Sequence, residues 1–117
     1  MIENFGIGID VSSIKKFKNK PFDKNKSFYK KIFLDEEIAY CLKFKNASEK
    51  FAGKFAIKEA LIKSITKKIH FMEIKTSYSQ SKPILEIINS EENYRFLVSL
   101  SHENDFAIAV VISEKIR

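Results

Sequence analysis

The sequence predicts an α+β domain in which an N-terminal strand is followed by helices and then by a run of antiparallel strands. Three observations carry that prediction. An apolar run opens the chain and stops at Asp10, helix-compatible segments fill the middle, and beyond about Lys68 the apolar period changes from about 3.6 to 2. At 117 residues the chain suffices for one modest core, and residues 1–117 read as a single domain.

Ile2 to Ile9 is the predicted first strand, with Gly6 and Gly8 inside it, where glycine marks close approach of another backbone or a ligand. Asp10 falls at its exit. Residues 15–31 are dense in lysine and interrupted by Pro21, which predicts an irregular or short-helical basic surface. From Asp35, DEEIAYCLKFKN predicts a helix with Asp35 as N-cap and two carboxylates in its first turn. Asn46 and Glu49 have capping-box spacing for a second helix, which carries Phe51, Phe55 and Leu61 toward a core and should end near Thr66 to Lys68. Ile69–Ser77, Ile84–Ile88, Tyr94–Leu100 and Phe106–Ser113 then read as strands, separated by polar turns such as SQSKP and NSEEN.

The net charge of +6 favours an anionic partner. All the cations but Arg95 and Arg117 are lysines, which suit phosphate or an acidic protein surface better than planar readout of bases. Cys41 is the only cysteine, so an intrachain disulfide is excluded and a cysteine-based zinc cluster is disfavoured. No apolar stretch approaches the roughly 18 residues that span a bilayer, and the N-terminus lacks a basic segment followed by an apolar one. No membrane association is expected, and the cytoplasm is the expected location.

The chemistry concentrates in FAGKFAIKEALIKS, Phe51 to Ser64. On a helix, Glu59 and Lys63 share one face, while Lys54 and Lys58 form a second one-turn pair about 100° around the axis. A carboxylate able to hold a hard cation thus sits among lysines able to hold phosphate. Asp10 and Glu59 together would suit Mg²⁺, which typically takes one or two carboxylates along with substrate phosphates. Taken singly, Asp10 reads also as a turn or helix cap, Glu59 as half of a surface ion pair with Lys63, and His102 as a structural histidine. His102 lacks His or Cys partners at ligand spacing, which makes a phosphate or hydroxyl contact its better functional reading. Neither a GxxxxGK[ST] nor a GxGxxG phosphate loop is present.

Three segments in order, Gly6 to Asp10, Phe51 to Ala60 and Ser99 to His102, resemble the recurring GIGxD, F-x-A-G-R-F-A-x-K-E-A and S-x-[ST]-H segments of the holo-[acyl-carrier-protein] synthase family of 4′-phosphopantetheinyl transferases. IFLDEEIAYC also resembles that family's intervening helix start. The resemblance implies that family's fold and transfer of 4′-phosphopantetheine from coenzyme A to a serine of acyl carrier protein, for fatty acid synthesis. It further implies Mg²⁺ on Asp10 and Glu59, a phosphate contact and catalytic role for Lys63, and coenzyme A contacts from Lys54, in place of the family's Arg, and from His102. His102 would reach the cofactor from an adjacent subunit of a homotrimer. Lys16 stands where the family commonly has an Arg that meets the carrier protein, Ser13 where it has Glu, and Ser81 where it has Gly before Lys-Pro. Two rival readings come from other classes. One is a nucleic-acid-binding module using lysines near Phe17, Phe28, Tyr29 and Phe44, and the other a carrier-protein scaffold without catalysis.

Overall fold

The computed structural model describes residues 3–116. β1 (Phe5–Ser13) is followed by α1 (Ile14–Lys18), a 3-10 turn at Phe22–Lys24, α2 (Lys26–Lys30), α3 (Asp35–Leu42) and the long α4 (Ala47–Ser64). A second 3-10 turn, Phe71–Glu73, leads into β2 (Ile74–Ser79), β3 (Lys82–Ile87), β4 (Asn93–Glu103) and β5 (Phe106–Ile116). Strand, helices and antiparallel strands thus follow in the expected order. β1 returns to pair with β5, giving a three-stranded sheet ordered β1-β5-β4, while β2 and β3 form a separate two-stranded sheet.

β1 differs from its expected span. The predicted start at Ile2 lies outside the described residues, and the strand continues past Ile9 because β5 supplies antiparallel partners from Phe5↔Glu114 to Ser13↔Phe106. Asp10 therefore lies within the strand, opposite Ala109, rather than at its exit. That register matters for the site. Side chains alternate along a strand, so Asp10 shares the face of Gly6 and Gly8, while Phe5, Ile7, Ile9 and Val11 take the other.

α4 lies directly on the glycine face. A Cβ added at Gly6 would stand 1.7 Å from the Ser64 carbonyl oxygen, and one at Gly8 1.8 Å from that of Ala60. Only glycine allows the helix backbone to approach this closely. The rest of the seam is built from small residues, with Ala52, Ala56 and Ala60 of α4 and Ala107 and Ala109 of β5 all fully buried. The opposite side of the helix meets an aromatic cluster of Phe17, Tyr29, Phe33, Phe51 and Phe55.

Phe17 and Tyr29 anchor the lysine-rich segment to the core, and the Tyr29 hydroxyl donates to the Phe17 and Lys20 carbonyls. This segment is therefore two short helices pinned from beneath. α3 takes Leu34 rather than Asp35 as its N-cap, since Glu37 Oε1 accepts from the Leu34 N–H, and it ends at Leu42, short of the expected Asn46. α4 starts after Asn46 as expected, but the Asn46 amide donates to the Glu49 carboxylate instead of capping the backbone. It ends at Ser64, before the expected Thr66 to Lys68, because Ile65 is already extended. Residues 69–73 form the 3-10 turn and its approach, so β2 begins only at Ile74.

Candidate active site

β1 and α4 bring Asp10, Glu59 and Lys63 together across 53 residues of sequence between the first and last of them. Lys63 Nζ donates to the Ile9 carbonyl at 3.0 Å and to Asp10 Oδ1 at 3.3 Å. Ser12 Oγ donates to the other oxygen, Oδ2, at 2.6 Å. Asp10 is oriented by those two bonds, and its side chain is 14% exposed. Glu59 lies one turn before Lys63, on the same face of α4. Burial raises its pKa, and the Asp10 carboxylate raises it further, with Lys63 and Lys16 pulling the other way. A half-buried carboxylate pair with lysines at its edge is a hard-oxygen donor set suited to a small divalent cation and to phosphate. Among the described residues no group of three or more His, Cys, Asp or Glu side chains is placed to hold a metal. An ion here would draw its remaining ligands from water, main chain or substrate.

Lys58 does not join this group. Its ammonium is fully buried and donates to Glu37 Oε1 at 2.6 Å, to the Ile32 carbonyl at 2.8 Å and to the Phe71 carbonyl at 3.1 Å. Three donors meet three acceptors, leaving none for a phosphate. Desolvation lowers its pKa and the Glu37 carboxylate opposes that shift. Lys54, 1% exposed, is also turned inward. Its Nζ donates to Thr76 Oγ1 and the Thr76 carbonyl, and lies over the rings of Tyr40 and Tyr78. Its pKa too is lowered by desolvation. One donor and the wall it forms with Tyr40 and Tyr78 are what it can offer a ligand.

By sequence alone, Glu37 is only one of the first-turn carboxylates of α3. Its two oxygens accept from Lys58 Nζ, the Leu34 N–H, the Thr76 N–H and Thr76 Oγ1, tying α3, α4 and β2 together. Position three of a helix gives a carboxylate an ordinary dipole and capping role, and Thr76 lies 39 residues away. Only the unusual run of lysines on α4 hinted that a buried counter-charge was needed.

His102, near the end of β4, stands elsewhere. A Cβ at Gly53 would lie 3.4 Å from its Nε2, and its Nδ1 is 3.6 Å from Glu49 Oε1. Gly53 precedes Glu59 by six residues, about 9 Å along a helix axis. His102, Lys50, Tyr78, Ser81 and Pro83 line a cleft at this end of α4. Within one chain the structure therefore separates His102 from the Asp10 carboxylate. Of the aromatic residues offered above for base stacking, Phe17 and Tyr29 are buried and cannot form a stacking platform, whereas Phe28 is half-buried and Phe44 exposed.

The family model described as "4′-phosphopantetheinyl transferase superfamily" matches residues 6–111. The chain is 35% identical over 122 residues to the holo-[acyl-carrier-protein] synthase of Halothermothrix orenii, covering 94% of this chain and 97% of the relative. Among solved structures it is similar to holo-[acyl-carrier-protein] synthase from Helicobacter pylori in complex with coenzyme A, at a TM-score of 0.77 and 32% identity over 92% of this chain and 99% of that one. The Bacillus anthracis synthase in complex with coenzyme A (3′,5′-ADP) matches at a TM-score of 0.76 and 29% identity, covering 95% and 96% respectively.

Proposed function

Because the chain belongs to the 4′-phosphopantetheinyl transferase superfamily, with holo-[acyl-carrier-protein] synthases as relatives over nearly its full length, we propose that it moves 4′-phosphopantetheine from coenzyme A to a serine of acyl carrier protein. The observation that carries the chemistry is the meeting of Asp10, Glu59 and Lys63 on the glycine-lined face of β1. The serine oxygen forms a bond to the β-phosphorus of coenzyme A as the bond from that phosphorus to the bridging oxygen breaks. Adenosine 3′,5′-bisphosphate leaves with the bridging oxygen. The nucleophile belongs to the partner protein.

Asp10 and Glu59 would hold Mg²⁺, which when bound supplies charge neutralisation on the diphosphate. Glu59, directly or through water, takes the serine proton. Lys63, with its side chain 53% exposed, can turn to the phosphates and offset charge on the leaving side. The cleft beside Gly53, with Lys50 and His102 on its walls, would take the nucleotide end of coenzyme A. Lys54 serves that wall through Tyr40 and Tyr78. Lys15 and Lys16 on α1, just beyond β1, would meet the acidic carrier protein.

We read residues 1–117 as one catalytic domain that works as a homotrimer in the cytoplasm. The sheet face away from α4 exposes Ile7 at 67% and Leu97 at 69%, beside Ile9 and Val11, an apolar patch that supports assembly. Among the described residues no helix is long and apolar enough to cross a membrane. Release of adenosine 3′,5′-bisphosphate tests the reading. It should require coenzyme A, apo carrier protein and Mg²⁺ together, stop with EDTA, and resist competing duplex or single-stranded nucleic acid. Release without carrier protein, or loss of activity on adding nucleic acid at physiological salt, would count against it.

A further inference from the structure

Both oxygens of Asp10 are engaged by this chain's own groups. Ser12 Oγ donates to Oδ2 at 2.6 Å, and Lys63 Nζ stands 3.3 Å from Oδ1 while also bonding the Ile9 carbonyl at 3.0 Å. Asp10 belongs to the less exposed half of the pair, at 14% against 53% for the Lys63 side chain. The ammonium thus holds one approach to Oδ1, while Ser12 Oγ holds Oδ2. A divalent ion on the same oxygen would bring a second positive charge close to the ammonium, and the two charges repel.

We infer that Lys63 is a built-in competitor for the cation site, and that the diphosphate of coenzyme A relieves the competition by drawing the ammonium off Asp10. This rests on the reading of Asp10 as a metal ligand given above. The energetics favour such a switch, because a pair whose ammonium is half exposed is held weakly and a second anion within reach of the flexible side chain suffices to move it. Metal alone should therefore bind weakly, while coenzyme A and metal should strengthen one another by the same factor in either order. Lys63 would couple the two ligands before any chemistry occurs.

The test is Mn²⁺ binding to the full chain without coenzyme A, followed by loss of the free-ion electron paramagnetic resonance signal. Lys63→Met, and independently Lys63→Gln, should bind Mn²⁺ about 3- to 10-fold more tightly than the wild type, as expected when a competing contact and its repulsion are removed. Lys115→Met deletes an equal charge that pairs with Glu92 rather than with either carboxylate of the site, and should change the affinity less than about twofold. Coenzyme A should tighten Mn²⁺ binding in the wild type and do so much less in the Lys63 variants. Unchanged or weaker Mn²⁺ binding in both Lys63 variants overturns the competition, as does an equal gain in Lys115→Met. If Asp10→Asn leaves Mn²⁺ binding intact, the metal-ligand reading of Asp10 falls too. If Asp10→Asn abolishes binding while the Lys63 variants match the wild type, only the competition falls.

Discussion

At Glu59, burial and then the neighbouring Asp10 carboxylate favour the protonated form, against the pull of Lys63 and Lys16. In the window between the unfolded value and this raised one, the folded protein holds more protons than the unfolded chain, so ionising Glu59 lowers stability as pH rises. A carboxyl-resolved NMR titration of the metal-free protein should place Glu59 above the ordinary carboxylate range. Asp10→Asn should bring it part of the way down, because the desolvation remains, and Lys63→Met should move it up. No response to either substitution would separate the two carboxylates. The shared face of Glu59 and Lys63 was legible in the sequence because one-turn spacing on a helix fixes it, but the ion pair expected between them is not formed, since Lys63 bonds Asp10 and the Ile9 carbonyl instead. The inward turn of Lys54 and Lys58 was not, because periodicity tells which residues are neighbours on α4 but not what packs against each side. Their acceptors come from Thr76, Glu37, Ile32 and Phe71, all distant in sequence.

Between elements, the contact that sets the site is the one between β1 and α4. Gly6 and Gly8 face the carbonyls of Ser64 and Ala60, and Asp10 is the next residue on that face. Gly8→Ala forces a methyl group against helix backbone, which cannot rotate away, so α4 must shift. A cost of about 1–3 kcal/mol is expected from overpacking, read as a lower denaturation midpoint. The same shift should separate Asp10 from Glu59 and raise the Mg²⁺ concentration needed for half-maximal transfer. An unaltered midpoint together with an unaltered Mg²⁺ requirement would show that the seam tolerates a side chain. Glycines inside the first strand signalled this close approach, though not which backbone made it. The exit of Asp10 was misjudged because strand length depends on the partner, and β5 lies nearly a hundred residues downstream. The two-stranded sheet bends at Gln80 and Ser81, which take positive φ of 51° and 67° without glycine. The polar turn was visible there; its left-handed backbone was not.

Over the whole molecule, α4 covers one face of the three-stranded sheet and the other is left apolar and open, with Ile7, Ile9, Val11 and Leu97 exposed. An exposed patch of that kind marks an association surface. In a cyclic trimer each interface joins two different patches, so one chain's Asp10 can meet another's His102. Asp10→Ala and His102→Ala chains, each poorly active alone, should then partly rescue one another when co-assembled. Mixed trimers verified by native mass measurement that regain no activity would return His102 to a role within its own chain. The order of strand, helices and strands was legible from the change of period, whereas the open face was not, since burial in a strand is decided by what packs on the finished sheet. The central claim, that Asp10 and Glu59 on this face drive transfer to a carrier protein, is tested most directly by intact mass of an apo acyl carrier protein incubated with coenzyme A, limiting Mg²⁺ and the purified chain. The wild type should add one phosphopantetheine arm per carrier, and folded Asp10→Ala and Glu59→Ala variants should do so at least about 100-fold more slowly, a barrier increase of about 2.7 kcal/mol. A carrier left unmodified by the wild type, or modified at near-normal rate by both variants, would contradict it.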